Sequence, residues 1–432
     1  MVCNNVDIDS ILKPFHRFGV HLGLERIQQL LANLGNPHHQ VPVIHVAGTN
    51  GKGSVCAYLS SVLTQAGYRV GRYTSPHLVD WTERICLNEQ PISADTLQQV
   101  LLQVKDAIHQ AMVEESISQK LAFKESPTQF EVITAAAWLY FAQSQVDIAV
   151  VEVGLGGRLD ATNVCCPKLS IITSISREHW QQLGPTLTDI ATEKAGILKP
   201  GCPAVVGPLP PAAETVVRSR IMELDCPTVW PKPALELRTA QTQRAQRWAS
   251  YEGIEYPLPL LGAIQLSNSA LALAALQILQ QQGWNISKSA IATGMAKTNW
   301  LGRLQWTTWQ SHRLLIDGAH NPAAAQALRQ FVDTLEVQSV TWVMGMLSTK
   351  DHADIFKALL RPSDRLYLIP VPDHSSANPD ELAILAHNIC PDLAACRTYP
   401  ELVRALEAAV ASDNLIVLCG SLYLVGHFLA TC

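Results

Sequence analysis

The sequence predicts an α/β protein with a mostly parallel sheet, and three observations support that prediction. Short runs rich in Val and Ile alternate with longer segments of helical period. A glycine-rich loop joins the first run to its helix, and the same alternation restarts after Trp300. This pattern is typical of βα units, in which helices cover both faces of a parallel sheet.

The first part of the chain contains four predicted strands, at residues 41–46, 68–74, 147–153 and 169–173. Their near-continuous apolar character is typical of strands that are buried on both faces. Helices are predicted at residues 55–66, 95–114, 128–143, 188–197 and 266–281. Thr128 and Glu131 have the spacing of a capping box, which favours a helix start at that point.

A second, smaller α/β domain is predicted beyond residues 297–303, so we place the domains at 1–298 and 299–432. Its strands are expected at residues 314–317, 339–344, 365–369 and 415–419. A helix over 322–335 should begin at Asn321 and Pro322, because Asn caps helices well and Pro suits the first helical position.

Composition excludes several classes of protein. The 432 residues are 48% hydrophobic and 16% charged, with a formal net charge of -5, which excludes a mostly disordered chain. The weak acidity provides no basic surface of the kind that binds nucleic acid or an anionic membrane. Eleven cysteines are scattered without a C-x-x-C pair, so no zinc or disulfide framework is indicated. The N-terminus lacks a signal-peptide pattern, and we expect a cytoplasmic protein with reduced thiols.

A glycine-rich loop, GTNGKGS at residues 48–54, follows the first predicted strand. Backbone N–H groups in such a loop can point at phosphate oxygens, and a lysine adds a full positive charge. The match to the general phosphate-loop pattern is imperfect, because Gly53 separates Lys52 from Ser54. A strand-to-helix turn without a ligand is the alternative. The order of strand, loop and helix favours nucleotide binding, with contacts from Asn50, Gly51, Lys52, Gly53 and Ser54.

This loop resembles that of the folate branch of the Mur ligase superfamily, the folylpolyglutamate and dihydrofolate synthases, whose loop carries the same extra glycine. Further segments follow in that family's order: GLERI at 23–27, YTSPHL at 73–78, EVGLGGRLDATN at 152–163, EKAGI at 193–197, DGAHNP at 317–322 and GSLY at 420–423. The resemblance covers essentially the whole chain. It implies a Mur-ligase-like ATP-binding domain followed by a smaller Rossmann-like domain. It also implies ATP-dependent addition of L-glutamate to dihydropteroate, to reduced folates or to both, through an acyl phosphate.

Glu152 is a candidate metal ligand by position alone. It lies in an apolar predicted strand, where an unpaired carboxylate would be costly, and it precedes a loop at the sheet edge where α/β proteins bind ligands. A carboxylate that simply reaches solvent is the alternative. The resemblance implies two magnesium ions, with Ser75, Glu152 and His179 as ligands. Glu178 stands where the family commonly has Asp, which leaves the role of this carboxylate open.

Lys194 lies in a predicted helix, and on its own it indicates an ordinary solvated lysine. The resemblance implies a different role, because the corresponding lysine of the superfamily is often carbamylated beside the second magnesium. Carbamylation requires a neutral amine, so we expect the pKa of Lys194 to be lowered.

The resemblance also implies the remaining site residues. Asn268, Arg303 and Asp317 are the expected further ATP contacts. His320 is expected to hold the nucleotide or the incoming amino acid, and Ser421 is expected on the side of the amino acid. Lys52, Lys194 and His320 are the expected catalytic residues. Contacts to dihydropteroate are expected from Thr128, Gln129, Phe130, Leu159, Asp160 and Ala161, although Phe130 fits a helix core equally well. GAIQ at 262–265 lacks a histidine that many relatives have there.

Two other functions stay open at this point. A peptidoglycan Mur ligase would need a separate UDP-substrate domain before the phosphate loop, and residues 1–47 are too few for one. A nucleotide-dependent switch or kinase would leave the TSPHL and EKAGI segments unexplained. The sequence does not separate dihydrofolate synthase from folylpolyglutamate synthase. We expect a bifunctional enzyme, and the family suggests a monomer.

Overall fold

The computed structural model describes residues 7–15, 22–118, 126–237, 247–412 and 414–432. The chain divides into two compact units, one of residues 1–77, 81–259 and 266–298, the other of residues 78–80, 260–265 and 299–432. Two short segments, 78–80 and 260–265, thus group with the second unit although they precede the predicted boundary.

An eight-stranded sheet lies in the first unit, in the order β4-β3-β2-β5-β1-β6-β7-β8. Neighbours from β2 to β8 are parallel, whereas β3 and β4 pair antiparallel at one side. The four predicted strands are confirmed with small shifts at their ends. The strands are β1 (Val43–Ala47), β2 (Val70–Tyr73), β3 (Ile85–Leu87), β4 (Gln90–Pro91), β5 (Ile148–Glu152), β6 (Leu169–Ile172), β7 (Ala204–Val206) and β8 (Thr228–Val229).

Helices surround this sheet, and three of them are buried over most of their length. Residues 54–63 of α3, 131–139 of α5 and 268–276 of α9 are buried without interruption, as expected for helices that are covered on more than one side. The helices are α1 (Ile8–Leu12), α2 (Glu25–Asn33), α3 (Lys52–Gln65), α4 (Ala94–Ser118), α5 (Gln129–Gln143), α6 (Trp180–Leu183), α7 (Leu187–Ala195), α8 (Pro211–Glu223), α9 (Ile264–Gln281) and α10 (Lys288–Lys297).

A small antiparallel sheet follows α8 in the chain, in the order β11-β10-β9. The sequence analysis predicts none of its strands. They are β9 (Leu235–Leu237), β10 (Trp248–Tyr251) and β11 (Ile254–Pro257).

The second unit has a six-stranded sheet in the order β12-β13-β17-β14-β15-β16, with β12 antiparallel and the other pairs parallel. The Oδ1 of Asn321 accepts a 2.9 Å hydrogen bond from the Ala324 amide, and Pro322 is the first helical residue, which confirms the predicted cap. The elements are β12 (Gln305–Trp309), β13 (His312–Ile316), α11 (Pro322–Asp333), β14 (Val340–Met344), α12 (His352–Leu359), β15 (Arg365–Leu368), α13 (Pro379–Ile389), β16 (Ala395–Thr398), α14 (Leu402–Val410), β17 (Leu415–Cys419) and α15 (Leu422–Thr431).

Both units therefore have the α/β architecture with a mostly parallel sheet that the sequence predicts. None of the described helices is long and apolar enough to cross a bilayer.

Candidate active site

Four adjacent parallel strands, β2, β5, β1 and β6, end at the same edge of the first sheet. Predicted site residues lie at three of these ends: Ser75 after β2, Glu152 at the end of β5, and the phosphate-loop residues from Asn50 after β1. Because parallel strands direct their carboxyl ends to one edge, ligands of α/β proteins bind there.

The phosphate loop packs too closely for side chains at two of its glycines, Gly48 and Gly51. Helix α3 begins at Lys52, earlier than predicted, and Gly51 at its N-cap has a left-handed φ of 90°. A Cβ atom at Gly51 would overlap the Oδ1 of Asn268, and one at Gly48 would overlap the Oγ1 of Thr173. Asn268 therefore lies against the loop, as expected for a residue on the nucleotide side.

The loop after β6 holds the phosphate loop in place. The Thr49 amide donates to the Ser174 carbonyl at 2.7 Å, and the Asn50 amide donates to the Ser174 Oγ at 3.0 Å. The Thr173 hydroxyl donates to the Asn50 carbonyl at 2.7 Å. Sequence reasoning missed Thr173 and Ser174; the available signal was a pair of hydroxyl residues directly after a buried strand.

Glu152 lies beside a cation and a backbone donor. Its carboxylate is 3.9 Å from the Lys52 Nζ and accepts a 3.2 Å hydrogen bond from the Ser75 amide. The residue is 5% exposed, so the alternative in which it simply reaches solvent does not hold. Lys52 Nζ also donates to the Thr49 carbonyl at 3.1 Å. A buried carboxylate at this edge is the kind of hard oxygen ligand that Mg²⁺ prefers.

Lys194 is buried, so the alternative of a solvated lysine is wrong. Its Nζ donates a 2.8 Å hydrogen bond to the Gly48 carbonyl. Burial, followed by the nearby charge of Lys52, lowers the pKa of Lys194 to about 7, against the opposing effect of Glu178 and Asp160. A large fraction of this amine is therefore uncharged at neutral pH.

Glu178 and His179 precede the short helix α6. His179 adopts a left-handed backbone with φ of 51°, is exposed, and its Nε2 is 4.0 Å from the Glu178 Oε1. The Glu178 carboxylate is close enough to act on the pKa of Lys194. Glu178 thus provides negative charge near the Lys194 amine.

The start of α5 is fixed by several polar contacts. The predicted capping box is present: Thr128 accepts from the Glu131 amide, and the Glu131 carboxylate accepts from the Thr128 amide. The Nε of Arg26, from α2, lies 3.1 and 3.2 Å from the two carboxylate oxygens of Glu131. The Phe130 ring packs on the backbone of Gly154 and against the first unit's core, so both of its sequence interpretations remain compatible with its place.

The glycine-rich segment after β5 folds around Asp160. The Asp160 carboxylate accepts hydrogen bonds from the amides of Leu155 at 2.8 Å and Thr162 at 3.0 Å. Asp160 is buried, and burial raises the pKa of its carboxyl despite these donors. Ala161 opens a buried 3-10 turn, and the Leu159 carbonyl accepts from the Gly23 amide at 3.4 Å.

In the second unit, the sequence-predicted residues gather at the carboxyl ends of β13 and β17. Asp317 accepts from the amides of Leu304 and Ala319, both at 2.8 Å. Burial raises the pKa of Asp317, while the positive charge of Arg303 opposes that shift. The Nδ1 of His320 is 2.7 Å from the Gly318 carbonyl, so this nitrogen carries the proton. Ser421 caps α15 and is buried.

Comparison with known proteins decides the family. Residues 46–206 match the Mur ligase middle domain, and residues 302–431 match the dihydrofolate synthetase C-terminal domain. The chain is 36% identical to dihydrofolate synthetase of Saccharomyces cerevisiae, over 95% of this chain and 97% of that protein. It is 35% identical to folylpolyglutamate synthase of Lacticaseibacillus casei, over 98% and 97%. The chain belongs to the folylpolyglutamate synthase/dihydrofolate synthase family.

Solved structures of this family agree with the assignment. Folylpolyglutamate synthase of Mycobacterium tuberculosis, complexed with ADP and AMPPCP, matches with a TM-score of 0.84 and 32% identity over 94% of this chain and 95% of that chain. E. coli FolC in complex with DHPP and ADP matches with a TM-score of 0.81 and 32% identity over 98% and 95%. The predicted membership, fold class and class of enzyme, an ATP-dependent ligase, are confirmed.

Proposed function

We propose that this chain adds L-glutamate to dihydropteroate and to the glutamate tail of reduced folates, using ATP. One observation carries the proposal: the amines of Lys52 and Lys194 donate to neighbouring carbonyls of one phosphate loop, those of Thr49 and Gly48, and the Glu152 carboxylate lies 3.9 Å from the Lys52 Nζ. Such a site combines cationic charge for phosphate with an oxygen ligand for a metal ion.

The chemistry begins with attack of the substrate carboxylate on the γ-phosphorus of ATP, which releases ADP and leaves an acyl phosphate. The glutamate amine then attacks the acyl carbon, loses a proton and expels inorganic phosphate. Charge on the transferred oxygens must be stabilised by positioned cations. We assign that role to Lys52 and the start of α3, with Asn50, Gly51, Gly53 and Ser54 lining the nucleotide.

Magnesium fits the residues at this sheet edge. Glu152 offers a buried carboxylate, and we assign Ser75 and His179 as its co-ligands. Bound there, magnesium would neutralise charge on the phosphates. Glu152 itself also holds Lys52 close to the loop, at 3.9 Å, which keeps that cation oriented when substrates arrive.

Lys194 fits a carbamate. Its uncharged amine can attack the carbon of CO₂, forming an N–C bond and releasing one proton to solvent, which turns a neutral amine into an anion. Burial and Lys52 favour the neutral amine that this step needs. A carbamate beside Lys52 would then supply negative charge for a second magnesium ion.

The remaining assignments are part of the same proposal. Dihydropteroate is assigned to Thr128, Gln129, Phe130, Leu159, Asp160 and Ala161. The further ATP contacts are Asn268, Arg303 and Asp317, and the amino-acid contacts are His320 and Ser421.

Two experiments test the proposal. Dihydropteroate and tetrahydrofolate are presented separately with ATP, magnesium and L-glutamate, and the products are weighed by mass spectrometry. We expect each to gain a glutamate residue; a gain on one alone would restrict the proposal to that substrate. Dihydropteroate labelled with ¹⁸O in its carboxylate should transfer one labelled oxygen to inorganic phosphate. Unlabelled phosphate would contradict the acyl phosphate.

A further inference from the structure

His45 lies in the middle of β1 and is fully buried. Its Nε2 is 2.9 Å from the Thr162 Oγ1, which donates a 2.5 Å hydrogen bond to the Asp160 Oδ1. Three side chains from two segments of the chain therefore form one continuous line of hydrogen bonds. None of the sequence motifs explains why a histidine stands inside this strand.

The donor and acceptor in each of these hydrogen bonds follow from the Asp160 carboxylate, where the line of hydrogen bonds ends. The Asp160 Oδ1 accepts from the Thr162 amide at 3.0 Å and from the Thr162 hydroxyl, so the hydroxyl is the donor in this contact. The Thr162 oxygen must then accept from His45, which places the imidazole proton on Nε2. Burial lowers the pKa of His45 to about 3, and the charge of Lys199 acts in the same direction. The imidazole is thus a neutral donor throughout the physiological range.

The Nδ1 nitrogen of His45 takes no part in this line of hydrogen bonds. The Nδ1 of His45 is buried and has no hydrogen-bond partner among the residues that the structure describes. An unpaired buried acceptor costs free energy, so a histidine at this position needs a compensating contact. The hydrogen bond from Nε2 to Thr162 is that contact.

The line of hydrogen bonds ends at Asp160, in the segment that we assign to the pterin. Asp160 accepts from Thr162 through Oδ1 and from the Leu155 amide, at 2.8 Å, through Oδ2. Its carboxylate therefore links the Thr162 hydroxyl to the turn directly after β5. Oδ1 also accepts from the Thr162 amide at 3.0 Å, and the hydroxyl oriented by His45 gives this oxygen its second donor. Without that donor, the Thr162 hydroxyl could rotate away from Asp160.

We propose that His45 is a positioning residue for the pterin substrate, which acts through Thr162 on Asp160 and on the turn at Leu155. This inference rests on the proposed function, because it takes the pterin site as given. Because His45 is fully buried, we expect it to act on the substrate only through these hydrogen bonds. Substitution of His45 should weaken the binding of the pterin and leave the binding of ATP unchanged, although His45 precedes the phosphate loop by three residues.

The test compares two substitutions of similar chemistry. In His45→Gln the side-chain amide can place a donor near the position of Nε2, whereas the shorter amide of His45→Asn cannot reach Thr162. We expect His45→Asn to raise the KM for dihydropteroate about tenfold, the size of one lost hydrogen bond, and to leave the KM for ATP within about twofold. His45→Gln should recover most of the pterin affinity. Thr162→Val should resemble His45→Asn, and the double variant should be no worse than Thr162→Val alone.

Several results would overturn the proposal. If His45→Asn raised the KM for dihydropteroate and the KM for ATP equally, its effect would lie on the phosphate loop. If His45→Gln and His45→Asn had the same KM for dihydropteroate, the hydrogen bond donated to Thr162 would have no role. Thermal melting separates these results from loss of fold. Nitrogen NMR of the histidines provides a readout without turnover: wild type should show His45 as the Nε2–H tautomer, with a changed signal in Thr162→Val. If wild type lacks ligase activity, the proposed function fails, while this NMR result still decides the hydrogen-bond chain.

Discussion

The Nζ of Lys194 donates a 2.8 Å hydrogen bond to the carbonyl oxygen of Gly48. A buried amine on α7 is thereby attached to the first residue of the phosphate loop. Because burial and Lys52 both lower its pKa, the protonation of Lys194 is linked to the stability of the protein.

Lys194 should make stability depend on pH. Its pKa falls from 10.5 to about 7 in the folded chain, so between these values the unfolded chain holds a proton that the folded chain has released. The free energy of unfolding should therefore rise with pH across this window, and the cost of burial should be fully present below pH 7. Lys194→Met should lose this slope and gain most in stability at low pH.

Urea denaturation in bicarbonate-free buffer, from about pH 7 to about pH 10, measures this dependence. Lys297→Met, at an exposed lysine of α10, is the matched control and should keep the wild-type slope. If the free energy of unfolding changed equally with pH in wild type and in Lys194→Met, Lys194 would not release its proton in this range.

Lys52→Ala should abolish ligase turnover without unfolding the chain. The ammonium lies beside the Thr49 carbonyl and Glu152, where it faces the expected phosphates, and loss of such a charge costs about 100-fold or more in kcat. Lys288→Ala, at an exposed lysine of α10, is the control for lysine removal. Steady-state kinetics with thermal melting provides the measurement, and wild-type turnover in Lys52→Ala would mean that the phosphates bind elsewhere.

Glu152→Gln should weaken the dependence on magnesium. A neutral amide is a poorer ligand for Mg²⁺ than a carboxylate, so we expect the magnesium concentration for half-maximal activity to rise at least about tenfold. Glu214→Gln, in the exposed part of α8, is the matched control. Direct titration with Mn²⁺ gives a readout without turnover. An unchanged metal dependence in both measurements would remove Glu152 from the metal site.

Arg26→Ala should destabilise the first unit. Arg26 is the partner of Glu131, which is nearly fully buried and also caps α5. Removing one partner of a buried pair leaves a poorly compensated carboxylate, so we expect a loss of about 2–3 kcal/mol. Arg404→Ala, which breaks two exposed ion pairs on α14, should cost less than about 0.5 kcal/mol. Equal losses in chemical denaturation would mean that the Arg26 contact is not stabilising.

Much of the fold could be predicted because local patterns and packing agree. The apolar run that forms β5 and the capping box at Thr128 each specify an element from nearby residues alone. The strands β9, β10 and β11 were not predicted because they are only three or four residues long and have little periodicity. Helix α8 was not predicted either, since Pro210 and Pro211 mark a boundary without showing that a helix follows.

Motifs could locate the site, but they could not predict its electrostatics. The segments that contain Lys52, Glu152 and Lys194 were identifiable from sequence. The burial of Lys194 depends on residues more than a hundred positions away, because its partner is Gly48. The same holds for Thr173 and Ser174, which support the phosphate loop across β1 and β6. Contacts between distant segments leave no local pattern in the chain.

Release of ADP with substrates omitted one at a time tests the central claim most directly. A ligase that passes through an acyl phosphate should turn over ATP continuously only when dihydropteroate and L-glutamate are both present, and each ADP should accompany one new amide bond. We predict that omitting either substrate reduces steady ADP release to background. Steady ADP release that is indifferent to both would contradict the account and indicate a nucleotide hydrolase.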